Sequence, residues 1–240
     1  VQSASRASSE QDNDTGASAI VPPVDILVID VGGTSLKILR SGEETRREVK
    51  SGSHVSAEYM AEAVQETCSD WTWDRVSIGY PSPVVGGRPL LNPSNLGGGW
   101  VGFDYEAAFG CPVRILNDAA MQALGSYHGG RMLFLGLGTG LGSAMIEHDR
   151  LEPLELGHMP FRESSFEEHT GKAALDRDGF EVWRDTVYEV VDQFVDAIDP
   201  DYVVLGGGNV MKLDDLPERC ERGNNFNAFI GGFRMWEYDS

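Results

Sequence analysis

Cysteine is scarce: Cys68, Cys111 and Cys220 are the only three in 240 residues, and they stand far apart and outside any C-x-x-C pattern. An odd, scattered set builds neither a disulfide framework nor a cysteine-rich zinc site, so a reducing, cytoplasmic setting is expected. Bases are also few. The 19 Lys and Arg, only four of them Lys, face 38 Asp and Glu, giving a net charge of -19. Such a surface repels phosphate backbones, so no nucleic-acid partner is expected, and the excess carboxylates read as a solvated acidic face. No apolar run of about 18 residues occurs, and the first 20 residues hold neither a basic n-region nor an apolar h-region. Neither a membrane span nor an export signal is expected. What remains is ordinary for a globular chain, 41% hydrophobic and 24% charged, with length for one large domain or two small ones.

Residues 1–23 start with Ser, Ala, Asn and Asp in no hydrophobic period and read as a flexible tail. Short apolar strands are expected at 25–29, 35–39 and 45–50, then a helix over 57–68 capped by Ser56, with Tyr59, Met60, Ala63, Val64 and Thr67 on one face. Further strands fall at 75–79 and 112–116, separated by a Pro/Gly/Asn-rich stretch from Pro81 to Gly102 that is long for an idle connection. A second cluster runs through 132–135, 143–146 and Leu151, gives way to helical pattern over 166–198, and closes with a buried strand at 202–205. The order strands, helix, strand thus occurs twice, which predicts two α/β lobes: residues 24–118 and 119–240.

Three glycine clusters end apolar strands. Asp30-Val31-Gly32-Gly33-Thr34 joins two of them, and Gly-Gly there serves either a plain hairpin or a phosphate cradle. Gly136-Leu137-Gly138-Thr139-Gly140-Leu141-Gly142 repeats the arrangement in the second half, with neither the G-x-G-x-x-G nor the G-x-x-x-x-G-K-[ST] spacing. Gly206-Gly207-Gly208-Asn209 follows the last buried strand and leaves open backbone for a flat ring or ribose.

With these three loops the chain resembles the actin, hexokinase and Hsp70 group, which implies a two-lobed, ribonuclease H-like α/β fold, each lobe a mixed sheet flanked by helices. Asn117-Asp118 after an apolar strand, Glu155-Leu156-Gly157-His158, Asn95-Leu96-Gly97 and Gly98-Gly99-Trp100 narrow the resemblance to the ROK sugar kinases, nearest their short polyphosphate/ATP glucokinase branch. Taken singly, Asn117 or Asp118 also fits a helix N-cap, and Glu155 with His158 an ordinary polar pair. Two departures stand out. Met159 to Phe166 holds no Cys where many members carry a zinc-binding triad, so no zinc is expected; the family's Pro-Gly after the fourth strand is Pro81-Ser82. The closing segment 229–234 follows the usual ending only loosely.

The resemblance implies transfer of a phosphoryl group from ATP or polyphosphate to the 6-hydroxyl of a hexose. It makes Asp118 the base, and Asn95, Asn117, Glu155, His158 and Glu167 the sugar ligands, although Glu168 beside Glu167 competes for the last place. It gives Asp30 a Mg²⁺ ion held through water. Gly32, Gly33, Thr34, Lys37, Gly138, Thr139 and Gly140 would line the phosphates, and Gly207 and Gly208 the adenosine. Lys37, Arg40, Arg46, Arg47 and Lys50 form either a track for a polyanion or a solvated hairpin edge. The partners implied are a small-molecule sugar and a donor, with no membrane, and a homodimer is compatible with the family. The alternative is a non-catalytic, sugar-sensing regulator of the same family. Such regulators carry a DNA-binding segment ahead of the kinase-like part, and the roughly twenty polar residues before Val24 and the acidic charge speak against it.

Overall fold

The computed structural model describes residues 24–237; the expected N-terminal tail lies outside them. In chain order the first half comprises β1 (Ile26–Val31), β2 (Ser35–Arg40), β3 (Arg47–Lys50), α1 (Ala57–Thr67), β4 (Arg75–Tyr80), a small hairpin of β5 (Val84–Val85) and β6 (Arg88–Pro89), α2 (Tyr105–Phe109) and β7 (Val113–Asn117). Its sheet runs β3-β2-β1-β4-β7, with β1–β3 antiparallel and β1, β4 and β7 parallel. After α3 (Asp118–Ser126), the second half repeats the plan with β8 (Arg131–Leu137), β9 (Leu141–Glu147) and β10 (Arg150–Leu154). A 3₁₀ turn at Leu156–His158, the two-residue strands β11 (Pro160–Phe161) and β12 (Ser164–Ser165), α4 (Phe166–Thr170), α5 (Lys172–Asp178) and α6 (Phe180–Ile198) follow. Then come β13 (Tyr202–Gly206), a 3₁₀ turn at Gly208–Lys212, β14 (Cys220–Arg222) and α7 (Asn227–Arg234). The second sheet runs β10-β9-β8-β13-β14, so the two sheets share one topology.

Strand periodicity assigns the layers. On β1, Leu27, Ile29 and Val31 pack toward α1, whereas Val28 packs with α3 and α7. On β8, Leu133, Leu135 and Leu137 pack toward α6, whereas Met132 and Phe134 join the same α3–α7 layer. Alternate side chains of a strand point to opposite faces, so a strand covered on both sides must be apolar throughout, as β1 and β8 nearly are. The α3–α7 pair is therefore a shared middle core. Although α7 comes last in the chain, it packs on β1 and β4 of the first sheet, and buried Ser77 on β4 donates its hydroxyl to Gly232 O at 2.6 Å.

Two details differ from the sequence reading. The buried stripe of α1 is Ala57, Met60, Ala61 and Val64, leaving Tyr59 39% exposed, because small Ala57 and Ala61 let the helix lie closer on that side. The helical pattern over 166–198 is three helices, broken at Gly171 and at Gly179, whose φ of +82° no other residue type adopts as readily. Ser56 does cap α1, accepting from Tyr59 N at 3.1 Å.

Candidate active site

Asp30, the penultimate residue of β1, lies directly across the ladder from Lys37 on β2, and the two side chains meet at 3.1 Å. Only 8% of Asp30 is exposed. Beside it on β4 lies Gly79, where an added side chain would strike the Met121 methyl of α3 and come 3.7 Å from Asp30 Oδ1. That glycine lets α3 settle against the sheet, and the first residue of α3 is Asp118. Nothing in the local pattern marks Gly79; only the packed helix reveals its purpose.

Asn117, the last residue of β7, is the N-cap of α3: its side-chain oxygen accepts from Ala119 N at 3.0 Å and from Ala120 N at 3.4 Å. The amide nitrogen faces Ser82 O at 3.5 Å, at the limit of a hydrogen bond, and so is left to donate. Asp118 is half-buried, and its Oδ1 accepts from Ala119 N at 2.8 Å. Burial first, and then the charge of Asp30, lift the Asp118 carboxyl from 3.8 to about 7, against the opposing pull of backbone N–H groups and Lys37. A carboxyl poised near neutrality is suited to take up a proton.

The loop carrying Asn95 is pinned from behind. Trp100, fully buried, donates Nε1–H to Gly97 O at 2.8 Å and leans on Tyr80, with ring centroids 5.5 Å apart. Gly97 N–H donates to Val55 O at 3.0 Å. Asn95 itself stays exposed beside the first glycine turn, where a side-chain carbon on Gly33 would sit 4.0 Å from Asn95 Cβ. In that turn Gly32 N–H closes the hairpin onto Ser35 O at 3.1 Å, whereas the N–H groups of Gly33 and Thr34 make no bond among the described residues.

The second glycine loop is built alike. Gly138 N–H bonds Gly140 O at 3.1 Å, and the N–H groups of Thr139 and Gly140 have no partner among the described residues. Asn209 Nδ2 and Lys172 N–H both donate to Gly138 O at 3.0 Å, tying this loop to the third one and to the start of α5. Gly207, with φ +81°, could carry no side chain without striking the Leu137 backbone, and Gly208 lies open to solvent. Ala119 sits against the loop's far end, since a side chain on Gly142 would come 2.7 Å from Ala119 Cβ. The Asp118 helix start and the second glycine loop are therefore neighbours.

Buried Ser143 fixes the Glu155–His158 segment, donating to Leu154 O at 2.9 Å and accepting from Leu156 N at 3.1 Å. His158 Nδ1 lies 3.4 Å from Glu155 Oε2 and its Nε2 lies 3.9 Å from Glu167 Oε1. Glu167 thus joins the group, while Glu168 is exposed and its carbonyl receives Arg177 at 3.4 Å. Four of the five basic residues along the β2–β3 edge are paired with carboxylates. Besides Lys37 with Asp30, Arg40 meets Glu43 at 3.1 Å, Arg46 meets Glu48 at 2.8 Å and Arg47 meets Asp70 at 2.8 Å. Lys50 alone of the five has no carboxylate partner among the described residues. The clamp that Gly171 and Lys172 place on the second loop escapes sequence reading because it is made by backbone alone.

No family model matches the chain. The polyphosphate glucokinase of Mycobacterium tuberculosis (strain H37Ra) is 28% identical over a 208-residue alignment that covers 78% of each chain. The polyphosphate/ATP-glucomannokinase of Arthrobacter sp. strain KM superposes with a TM-score of 0.76 at 23% identity, over 90% of this chain and all of that one. A ROK family glucokinase from Streptomyces griseus, solved with glucose and AMPPNP, gives 0.66 at 17% identity over 88% of this chain and 98% of that one. The chain is a relative of the polyphosphate glucokinases with the fold of the ROK sugar kinases. The two sheets have like topology, and the three glycine loops, Asp30, Asn117-Asp118 and the Glu155–His158 segment all stand at or just beyond strand ends. No helix among the described residues is long and apolar enough to cross a membrane.

Proposed function

We propose that the protein is a hexose kinase, transferring a phosphoryl group from ATP to the 6-hydroxyl of a hexose with Asp118 as the base. The observation that carries this reading is the Asp118 carboxyl, raised to about 7 beside Asp30 and flanked by the second glycine loop. The names of the Mycobacterium, Arthrobacter and Streptomyces proteins support it, because all three are kinases of glucose-type sugars. A sugar hydroxyl is a weak nucleophile, so the chain must align it, accept its proton and spread the charge of the moving group. Asp118 accepts the proton. Asn117 offers its amide N–H to a hydroxyl because its oxygen is committed to the helix, and Asn95, Glu155, His158 and Glu167 hold the remaining hydroxyls. The open N–H groups of Gly33, Thr34, Thr139 and Gly140 face the phosphates, assisted by Lys37, whereas those of Gly32 and Gly138, also expected there, are taken up within their own turns; Gly207 and Gly208 border the adenosine.

Magnesium fits this arrangement in a limited way. Among the described residues no three His, Cys, Asp or Glu side chains gather into a metal cage. Mg²⁺ keeps much of its water and takes one or two carboxylates plus substrate phosphates, which is what Asp30, with one oxygen on Lys37, can offer. When bound, the ion neutralises charge on the transferring group. Asp30→Ala is accordingly expected to weaken turnover and raise the Mg²⁺ needed for half-maximal rate; an unchanged Mg²⁺ titration would remove Asp30 from that role.

The deciding assay supplies Mg²⁺, ATP or polyphosphate and a panel of hexoses, and reads sugar-phosphate formation. Turnover with ATP is the expected result. No turnover with either donor, alongside intact sugar binding, would favour the sugar-sensing reading instead. For polyphosphate the neutralised β1–β3 edge predicts weak use: a polyanion there would have to displace Glu43, Glu48 and Asp70 from their arginines. Any polyphosphate KM should then be no more salt-sensitive than that of ATP, and a markedly steeper rise with salt would restore the basic track.

A further inference from the structure

Glu167 belongs to two loops at once. One carboxylate oxygen lies 3.9 Å from His158 Nε2, on the side of the Glu155–His158 segment, and the other accepts from Leu141 N at 3.3 Å, at the flank of the second glycine loop. The contact with that loop is tight: an added side-chain carbon on Gly140 would overlap the Glu167 carboxylate itself. The helix bearing Glu167 grips the same loop from its other end. Gly171 N–H caps onto Glu167 O at 2.8 Å, Lys172 N–H bonds Gly138 O and Thr139 O at 3.0 and 3.1 Å, and a side chain on Gly171 would meet Thr139 O. Residues 138–140, with two open amides, are therefore bounded on both sides by α4 and its junction with α5.

We propose that Glu167 couples the two substrates: a hexose that engages Glu167 and His158 fixes the carboxylate, and through Leu141 N–H it orders the Thr139–Gly140 amides that receive the donor. This rests on the hexose-kinase reading above. Ordering a loop with the first ligand spares the second that cost, so the coupling is positive, and linkage makes it reciprocal. Glu167 is in this respect a positioning residue for the donor loop as well as a sugar ligand.

Calorimetry of glucose binding to the full chain, with and without Mg²⁺ and the non-transferable donor AMPPNP, tests this. In the unaltered protein AMPPNP should tighten glucose about fivefold or more. Glu167→Gln keeps the shape and removes the charge; it should weaken glucose and shrink the coupling to within about twofold. Gly140→Ala lies on the donor loop, yet it should weaken glucose severalfold with no nucleotide present, because its methyl must push the Glu167 carboxylate aside. Full coupling in Glu167→Gln, or an unaltered glucose affinity in Gly140→Ala, overturns the proposal. Should Glu167→Gln bind glucose too weakly to titrate, the Gly140→Ala result decides. Glucose bound without coupling in the unaltered protein removes this inference and leaves the kinase reading intact, whereas no binding of any hexose removes both.

Discussion

Asp118→Asn is expected to lower kcat by about 10² to 10⁴ while leaving glucose affinity within a few-fold of the unaltered protein. The substitution keeps the side chain's shape and its acceptor for Ala119 N–H, which the carboxylate holds at 2.8 Å, so the start of α3 and the Asn117 cap survive. What disappears is a group able to take the hydroxyl proton as the phosphoryl group moves. A loss of tenfold or less would show that Asp118 is not the base and that alignment carries the rate. A rise in glucose KM without a fall in kcat would make it a binding residue only.

The same carboxyl sets the pH dependence. With its pKa raised to about 7, mainly by burial and next by Asp30, Asp118 is half-ionised near neutrality, so kcat should climb roughly tenfold per pH unit well below 7 and level off above it. Asp30→Asn removes the second cause, and the acid limb should move to lower pH even if the plateau falls. Stability carries the opposite sign. The folded protein holds the Asp118 proton more tightly than the unfolded chain, so the folded state is favoured below the unfolded value of 3.8 and loses that advantage as pH rises through about 7. Asp118→Asn should therefore melt higher than the unaltered protein at pH 8, and the difference should vanish near pH 4. A stabilising loss of the base is what a strained active-site charge predicts.

Much of this architecture is legible in the chain because strands covered on both faces must be largely apolar, as β1, β8 and β13 are. The Ser56 cap is local chemistry, and so are the glycine turns, where small residues between strands leave few alternatives. The active-site details depend on partners far away in sequence. In sequence Asn117 fits both an N-cap and a sugar ligand; in the structure its oxygen caps α3, while its nitrogen has only a 3.5 Å contact with Ser82 O. Glu167 and Glu168 cannot be told apart by pattern, since the choice depends on how α4 turns toward Leu141. The basic edge reads equally as a track or as a solvated hairpin edge until Asp70, 23 residues beyond Arg47, folds back onto it. The middle layer is the least legible. Gly125 and Gly231 look like helix-weakening residues until α3 and α7 are seen to cross there, with no room for a side-chain carbon between Gly125 and Asn227 O or between Gly231 and Met121 O.

That crossing predicts the largest stability effect in the chain. Gly231→Val would drive a branched side chain into the Met121 carbonyl of α3, and backbone, unlike a flexible side chain, cannot swing away. Overpacking of this kind should cost about 3 kcal/mol, lowering Tm by roughly 6–12 °C for a chain of this size. Gly98→Ala, where the added methyl meets nothing within 4 Å, supplies the control and should shift Tm by no more than about 2 °C. The damage should also reach catalysis. Arg234, at the end of α7, donates to Leu124 O at 3.0 Å and Tyr127 O at 2.8 Å, closing the far end of the helix whose first residue is Asp118. A displaced α7 therefore tilts α3 as a rigid rod and moves the base away from the hydroxyl it must meet, so kcat of Gly231→Val should fall even well below its melting temperature. A variant that melts with the unaltered protein would mean that α3 and α7 do not cross at these glycines; one that melts low yet keeps full kcat would mean that Asp118 is held by the Asn117 cap and Gly79 contact alone.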